Sequence, residues 1–411
     1  MANTYLTRSL SSTSTSWTFS AWVKRGSNLG VTNYFISWGN SGADATGIGF
    51  NTSDKFQYYS EDNPSNINAV SNGVYRDTSG WYNFVCSCNA GAITLYTNGE
   101  TVGSTTGGNA LDTSTMQIGK WVTSAYYHDG SMSHINFIDG TAYDASAFGS
   151  TDSTTGEWKI NTSPSVTYGS DGFFILKDGN SVTDQSGNGN NFTVAGGTLT
   201  KTEDSPSNVF ATANPLDQNG GMTFSEGNLS VASTSASWRS TRGTLGMTAG
   251  KYYWEVKAVN TSGSLLDMAV GVADFSLAIP SEWSSENPSL AYTGGSGDKQ
   301  LNGVQTSYGA TYDVGDIIGV AFDADNLTVE FFKNGTSQGS ISTGWSSGIT
   351  WTPVIALYGR YNNTKASFNF GNGYFGTTEV SSAGTNASGI GIFEYDVPTG
   401  YTALSTKGLN L

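Results

Sequence analysis

Histidines are the side chains best suited to general acid–base chemistry near neutral pH, and this chain has only two, His128 and His134. Two histidines cannot form a three-histidine zinc site, and a Ser-His-Asp triad would have to use one of them. His134 falls in the strand-like stretch 133–138, and His128 follows a tyrosine pair in a predicted loop. We therefore predict structural roles for both, no catalytic residues and no metal site.

Paired carboxylates could hydrolyse glycosidic bonds, because one can protonate the leaving group while the other attacks or stabilises the sugar. Glu394 and Asp396 have the spacing of such a pair but lack a third acid. Asp323 and Asp325 share the same spacing but lead into a predicted turn. A polysaccharide hydrolase is therefore a less favoured alternative for this chain.

The stretch 184–191, DQSGNGNN, is rich in oxygen-bearing side chains. Ca²⁺ takes roughly six to eight oxygen ligands, so Asp184, Asn188 and Asn190 would need carboxylates from other loops. The acidic residues at positions 44, 54, 61 and 62 could supply those additional ligands. We predict a loop and no cofactor, with Ca²⁺ binding as the alternative.

Aromatic residues make up 13% of the chain, and most of them fall in alternating strand patterns that indicate a core. Those in loop-like contexts are candidates for binding, because rings beside polar groups stack on sugars or anchor peptides. These ligand- or partner-binding candidates are Trp283, Arg360, Tyr361, Asn362, Tyr58, Tyr59, Tyr126 and Tyr127.

The composition excludes several classes of partner. With 18 basic and 33 acidic residues the net charge is −15, which would repel nucleic acid over most of the surface. The sequence has neither an apolar run long enough to span a bilayer nor a signal-like start, so we expect no membrane insertion. Cys86 and Cys88, the two cysteines, are predicted to be buried free thiols.

The elements that must position these residues are strands. Alternation predicts strands at 18–24, 80–86 and 251–257, and Asn-Gly pairs at 98–99 and 334–335 predict tight hairpins. The predicted fold is all-β, with two consecutive antiparallel β-sandwich (jelly-roll) domains. We assign them to residues 1–201 and 223–380, with a linker at 202–222 and a C-terminal segment, 381–411, packing on the second domain.

The second half resembles a SPRY domain over roughly 223–375. The segments that carry the resemblance are GKYYWEV at 250–256, VGVA at 270–273, GDIIGV at 315–320, VEFFKNG at 329–335, PVIAL at 353–357 and FNFG at 368–371. SPRY domains bind partners through loops at one edge of the sandwich, which implies a site within 276–296 and 359–364.

The first half resembles a laminin-G-like (concanavalin-A-like) domain over roughly 1–200. The matching segments are TFSAWVK at 18–24, WYNFV at 81–85, ITLYTNG at 93–99, QIG at 117–119 and DGSMSHIN at 129–136. This resemblance implies the same class of β-sandwich as the alternation does.

The order of the two domains, with segments at 139–142, 155–159, 184–191, 205–208 and 393–404, resembles structural proteins of tailed bacteriophages. That resemblance implies a non-enzymatic virion surface protein, either a head decoration, a head fibre or a tail fibre, assembled in the host cytoplasm. Its expected partners are other virion subunits, host-surface glycans and further copies of itself. The alternatives are a carbohydrate-binding receptor adhesin of the tail, a polysaccharide depolymerase and a cellular SPRY adaptor.

Overall fold

The computed structural model describes residues 3–40, 44–61, 65–177, 179, 181–260, 268–280, 288–359 and 364–411. The chain forms two compact units, Met1–Lys201 and Thr202–Leu411. Over the described residues both units are built from strands and contain no α-helix, only two one-turn 3₁₀ helices at Ala145–Ala147 and Gly408–Asn410. The predicted all-β fold of two antiparallel sandwiches is confirmed.

The strands of the first unit follow one another in the chain as β1 (Tyr5–Ser9), β2 (Trp17–Arg25), β3 (Asn33–Gly39), β4 (Thr46–Phe50), β5 (Phe56–Ser60), β6 (Ile67–Val70), β7 (Trp81–Asn89), β8 (Ala92–Thr97), β9 (Glu100–Thr105), β10 (Thr115–Ile118), β11 (Gly130–Asp139), β12 (Gly149–Thr151), β13 (Trp158–Ile160), β14 (Phe173–Ile175) and β15 (Thr193–Gly196).

Two sheets form this sandwich. One has the order β15-β1-β10-β3-β4-β5-β6 and the other β14-β11-β2-β7-β8-β9, while β12 and β13 pair separately. Phe19, Ala21 and Val23 of β2 share the core face, as the alternation predicts, because side chains in a strand point alternately to opposite faces. Cys86 and Cys88 on the neighbouring β7 are buried and free, which confirms the predicted thiols.

The strands of the second unit are β16 (Ala213–Gln218), β17 (Met222–Ser225), β18 (Ser230–Ser233), β19 (Trp238–Gly243), β20 (Lys251–Asn260), β21 (Met268–Asp274), β22 (Ser289–Thr293), β23 (Asp298–Leu301), β24 (Val304–Ser307), β25 (Ile317–Asp323), β26 (Thr328–Lys333), β27 (Thr336–Ser342), β28 (Trp351–Tyr358), β29 (Thr364–Asn369), β30 (Tyr374–Phe375), β31 (Thr378–Glu379) and β32 (Thr402–Ala403).

The second sandwich packs the sheet β16-β19-β28-β21-β22-β23-β24 against the sheet β17-β18-β29-β20-β25-β26-β27. Tyr252, Trp254 and Val256 of β20 face its core, in agreement with the alternation. Strand β25 is buried along its whole length, as its continuous apolar run predicts for a central strand.

The C-terminal segment 381–411 covers the outer face of β20. Phe393, Val397 and Ala403 form an apolar cluster with Tyr253 of that strand, and β32 pairs with the start of β20 in parallel. The carboxylate of Glu255, next to Tyr253 on the same strand, is buried beneath this segment.

The structure corrects the predicted linker at 202–222, because these residues belong to the second unit. The N–H of Ala211 donates to the carbonyl of Leu404 at 3.0 Å, and 213–218 forms the edge strand β16. Pro215 and the pair Gly220-Gly221 interrupt the alternation there. The proline is tolerated because β16 is an edge strand, and the two glycines supply the positive φ angles of the turn that follows it. The loss of alternation in this stretch therefore reflects an edge strand and the turn after it, and not a linker.

The described part of the chain has no helix with the length and apolar character that crossing a bilayer requires.

Candidate binding surface

A glycine-lined strip on the outer face of the first sandwich forms the floor of the candidate surface. Strand β4 reads Thr-Gly-Ile-Gly-Phe, so Ile48 and Phe50 face the core while Gly47 and Gly49 face outward. The indole of Trp121, which follows β10, lies directly over Gly47. A Cβ atom on Gly47 would be 2.5 Å from the Trp121 ring and 2.7 Å from the Tyr34 ring.

Four aromatic rings gather over this strip, and we call them the outer aromatic surface: Tyr34, Tyr59, Trp121 and Tyr126. The Trp121 ring centroid lies 4.4 Å from that of Tyr34 and 5.9 Å from that of Tyr59. Tyr126 stands edge-on to Tyr34 at 6.5 Å. Trp121 is only 3% exposed, whereas Tyr126 is 50% exposed, so the cluster has a fixed base and an accessible rim.

Hydrogen-bonding groups border the rings. The hydroxyl of Tyr59 accepts a hydrogen bond from Asn66 Nδ2 at 2.9 Å. Glu61 is half-buried next to Tyr59, and burial raises the pKa of its carboxyl group. Within the described residues no group donates to that carboxylate. Rings flanked by an unoccupied acceptor can stack on one face of a ligand and bind its hydroxyl or amide groups.

Tyr127 belongs to a neighbouring patch. Its ring centroid lies 6.2 Å from that of Tyr5, and the Lys120 ammonium is 4.7 Å from the Tyr5 centroid and 5.7 Å from that of Tyr127. Tyr127 is half-buried. The structure therefore brings Tyr59 and Tyr126 together, and places Tyr127 in a cation–π group beside them.

Tyr58 is corrected from a surface candidate to a core residue. It is fully buried, and its ring stacks on Trp17 with centroids 6.0 Å apart. Its hydroxyl accepts a hydrogen bond from the N–H of Asn109 at 2.8 Å. Strand β5 turns Tyr58 inward and Tyr59 outward, so the tyrosine pair supplies only one residue to the surface.

The candidates of the second unit, Trp283, Arg360, Tyr361 and Asn362, lie outside the described residues.

The oxygen-rich stretch 184–191 is held together by its own hydrogen bonds. Both carboxylate oxygens of Asp184 accept backbone N–H groups, from Phe174 and Ser186 on one and from Asn190 on the other. The side-chain amide of Asn188 donates to the carbonyls of Gly169 and Gly172, at 2.6 and 3.0 Å. Many of the oxygens that a Ca²⁺ ion would need therefore already accept hydrogen bonds, and the described residues hold no cluster of three His, Cys, Asp or Glu side chains that could bind a metal ion.

The histidines occupy structural positions. The ring Nδ1 of His128 is 3.1 Å from the Asn33 Oδ1, and its Nε2 is buried without a partner. Burial, with a smaller effect of Arg25, lowers the pKa of His128 to about 3, so the ring is neutral at pH 7. His134 has positive φ and its Nδ1 lies 2.7 Å from the Ser133 hydroxyl.

The predicted acid pairs are engaged in loops and turns. Asp323 binds Lys251 at 2.9 Å and accepts from Asn326, as a hairpin-turn aspartate does. Glu394 accepts from the N–H of Ser381, and Asp396 from the N–H of Thr385.

Sequence reasoning missed Trp121 and Tyr34, the best-buried rings of the surface. Trp121 comes just after β10 and Tyr34 lies within β3, and an aromatic residue at either position is ordinarily a core residue. The available signal was the Gly-Ile-Gly pattern of β4, because paired outward glycines in a strand indicate that another group approaches the backbone.

Comparison with known proteins supports the two-domain reading. The family model for the concanavalin A-like lectin/glucanases superfamily matches residues 2–146, and the SPRY domain model matches residues 251–373. A search of curated proteins finds no match.

Three solved structures show the range of similar chains. The SPRY domain of human HERC1 is 20% identical, over 38% of this chain and 96% of that one, with a TM-score of 0.34. A human SPRY domain is 17% identical over 36% and 94%, with a TM-score of 0.30. The native heptameric SAP-like pentraxin from Limulus polyphemus is 16% identical over 34% and 72%, with a TM-score of 0.29.

The family matches and the topology of the two units agree, and the chain therefore consists of a concanavalin A-like domain followed by a SPRY domain.

Proposed function

We propose that this chain is a non-enzymatic structural protein on the surface of a tailed-phage virion, as a head decoration, a head fibre or a tail fibre. It makes contacts with other virion subunits and with glycans. The virion assignment draws on the resemblance of the domain order and linking segments to tailed-phage structural proteins. Concanavalin A-like and SPRY domains are typically binding modules, which supports the binding part of the proposal.

The observation that carries the binding part is the outer aromatic surface. Its base of Tyr34 and Trp121 is nearly fully buried, so the rim residue Tyr126 is presented without a large ordering cost. A contact between two aromatic rings contributes about 1 kcal/mol beyond the area that it buries. Such a contact is weak alone, but display of many copies on one particle raises the effective affinity by about 10²–10⁴.

A carbohydrate-binding receptor adhesin of the tail is the second candidate. Glu61 and the Tyr59 hydroxyl favour it, because they lie beside the clustered rings and can bind the hydroxyl groups of a sugar whose apolar face contacts Tyr126. This candidate differs from the first only in naming the ligand.

Labelling of intact particles tests the virion assignment. An antibody against the second unit should decorate purified particles from the source of this chain, on the head for a decoration or head fibre and at the tail tip for a tail fibre. Purified particles that lack the chain would refute the assignment.

Variants of the outer aromatic surface test the binding part. Tyr126→Ala should weaken particle assembly or attachment, while the chain remains folded because the residue is at the rim. Phe275→Ala is the matched control, since Phe275 is 52% exposed but lies in the second unit. If Tyr126→Ala and Phe275→Ala had the same effect on assembly and on glycan binding, the outer aromatic surface would not be the binding surface.

A further inference from the structure

A cleft of about 500 Å³ lies in the second unit, where the C-terminal segment meets the start of β20. We call it the C-terminal cleft. Its volume is within the roughly 300–1,000 Å³ that is usual for small-molecule sites. The residues that matter for its chemistry are Lys251, Tyr252, Asp325, Ala387, Tyr401 and Leu409.

The walls of the cleft are firmly positioned. Strand β32 pairs Thr402 with Tyr252, and the N–H groups of Glu394 and Tyr395 donate to the buried Glu255 carboxylate, both at 2.9 Å. Residues 387–411 lie beyond the SPRY match, which ends at 373. The cleft is therefore a feature that the C-terminal segment adds to the sandwich.

The polar groups of the cleft include one unoccupied acceptor. Asp325 uses Oδ1 to accept the N–H of Gly250 at 2.9 Å, and no described residue donates to its Oδ2. Burial raises the pKa of Tyr252, and the Asp325 charge adds to that effect, which places the carboxylate near this phenol. Asp325 itself is exposed and can reach a ligand.

The lining of the cleft also includes an aromatic ring, that of Tyr401. The Lys251 ammonium is 5.9 Å from the centroid of Tyr401, which is half-buried, and 2.9 Å from the Asp323 carboxylate. The ring offers a stacking face, and the ammonium retains N–H groups that can donate to a ligand oxygen. The side chain of Leu409 contributes apolar surface to the wall of the cleft.

The charge balance selects among ligands. Asp323 pairs with Lys251, and Asp325 leaves the lining of the cleft with a net negative charge. An anionic ligand such as a phosphate or a sialic acid would be repelled. A neutral ligand with adjacent hydroxyl groups can donate to Asp325, accept from Lys251 and lay an apolar face on Tyr401.

We propose that the C-terminal cleft binds one residue of a neutral sugar, with Asp325 and Lys251 binding its hydroxyl groups and Tyr401 stacking on its ring. This inference goes beyond the proposed function. It concerns the second unit rather than the outer aromatic surface, and it holds whether or not the chain is part of a virion.

Ligand-observed NMR on the full chain tests it, with glucose, galactose, mannose and N-acetylglucosamine as neutral probes and N-acetylneuraminic acid as the anionic probe. At least one neutral probe should bind saturably. Asp325→Asn should weaken it about tenfold, the loss expected when a hydrogen bond to a charged acceptor becomes neutral. Ala387→Trp should abolish it by filling the cleft while leaving the polar groups in place.

Asp313→Asn is the matched control, because Asp313 is also exposed and uses one oxygen to accept a backbone N–H. It should leave the affinity unchanged. Absence of saturable binding by every neutral probe would overturn the proposal, and so would binding that survives Ala387→Trp. Binding that Tyr126→Ala abolishes and Ala387→Trp leaves intact would place the sugar on the first unit and equally refute the cleft.

Discussion

The docking of the C-terminal segment should depend on pH through Glu255. This carboxylate is fully buried and accepts four hydrogen bonds: from the N–H groups of Glu394 and Tyr395 at 2.9 Å, and from Asn369 Nδ2 and the Tyr253 hydroxyl at 3.2 Å. Burial raises the pKa of Glu255 from 4.5 to about 7, and these hydrogen bonds only partly offset it. An undocked segment would return the group to water and to its ordinary pKa.

The sign of the effect follows from these two pKa values. Because the pKa is higher in the docked state, that state binds more protons between pH 4.5 and 7. The stabilisation is complete below pH 4.5 and is lost as the pH rises through 7. Each pH unit in that window is worth about 1.4 kcal/mol, so docking should weaken by about 3 kcal/mol across it.

Hydrogen exchange measured by mass spectrometry on a peptide that contains Glu394 and Tyr395 gives the free energy of opening directly. After correction for the intrinsic exchange rate, that free energy should fall by about 3 kcal/mol from pH 4.5 to 7. Glu255→Gln removes the titrating group, so its opening free energy should be flat with pH, although one backbone N–H loses its acceptor.

Glu330→Gln is the matched control, because Glu330 lies on the same sheet and accepts a hydrogen bond from Ser337. It should keep the wild-type slope. A wild-type opening free energy that is constant or rises between pH 4.5 and 7 would refute the reasoning. A slope that survives Glu255→Gln would assign the titration to another group.

Three further predictions concern the first unit. His128 has its pKa lowered to about 3, so its contribution to stability is complete above pH 6.5 and is lost as the pH falls. His128→Gln should therefore flatten the decline of the unfolding free energy that acid titration shows between pH 6.5 and 4.5, a decline of about 3 kcal/mol. Asp54→Asn should destabilise the unit by about 3–5 kcal/mol in urea unfolding, because Asp54 and its partner Arg25 are both buried. Arg76→Gln, at the 61% exposed second partner, should cost less than about 1 kcal/mol. Gly47→Ala should displace the indole above it, seen as a shift in tryptophan fluorescence, and should weaken any ligand of the outer aromatic surface.

Alternation predicts the core of both units well, because a sandwich strand has one buried face and the period of two is visible in the sequence. Phe19, Ala21 and Val23 are one such face, and Tyr252 and Trp254 belong to another. Strand order could not be predicted in the same way. Partners such as β1 and β10 are far apart in sequence, and their pairing depends on the packing of whole sheets.

The tyrosine pair at 58–59 shows where local pattern stops being informative. Neighbouring residues in a strand point to opposite faces, so one ring faces the core and the other faces the outer side of the sheet. Which one depends on the register of β5 against β4, where Tyr58 is opposite Ile48 and Tyr59 is opposite Gly47. The sequence of the two tyrosines alone does not determine that register.

The burial of the outer face of β20 could not be predicted from the local pattern either. Tyr253 and Glu255 alternate with core residues, and a carboxylate on the outer face of a strand ordinarily indicates solvent. Here both are buried, because residues about 140 positions later lie on top of them, with Phe393 edge-on to Tyr253 at 5.1 Å. The sandwich core gains nothing from a carboxylate at position 255, whereas the backbone N–H groups of the C-terminal segment need an acceptor there. The identity of Glu255 is therefore explained by the segment that covers it. That segment also builds one wall of the C-terminal cleft, so the residues that complete the cleft are ones that no strand pattern could have revealed.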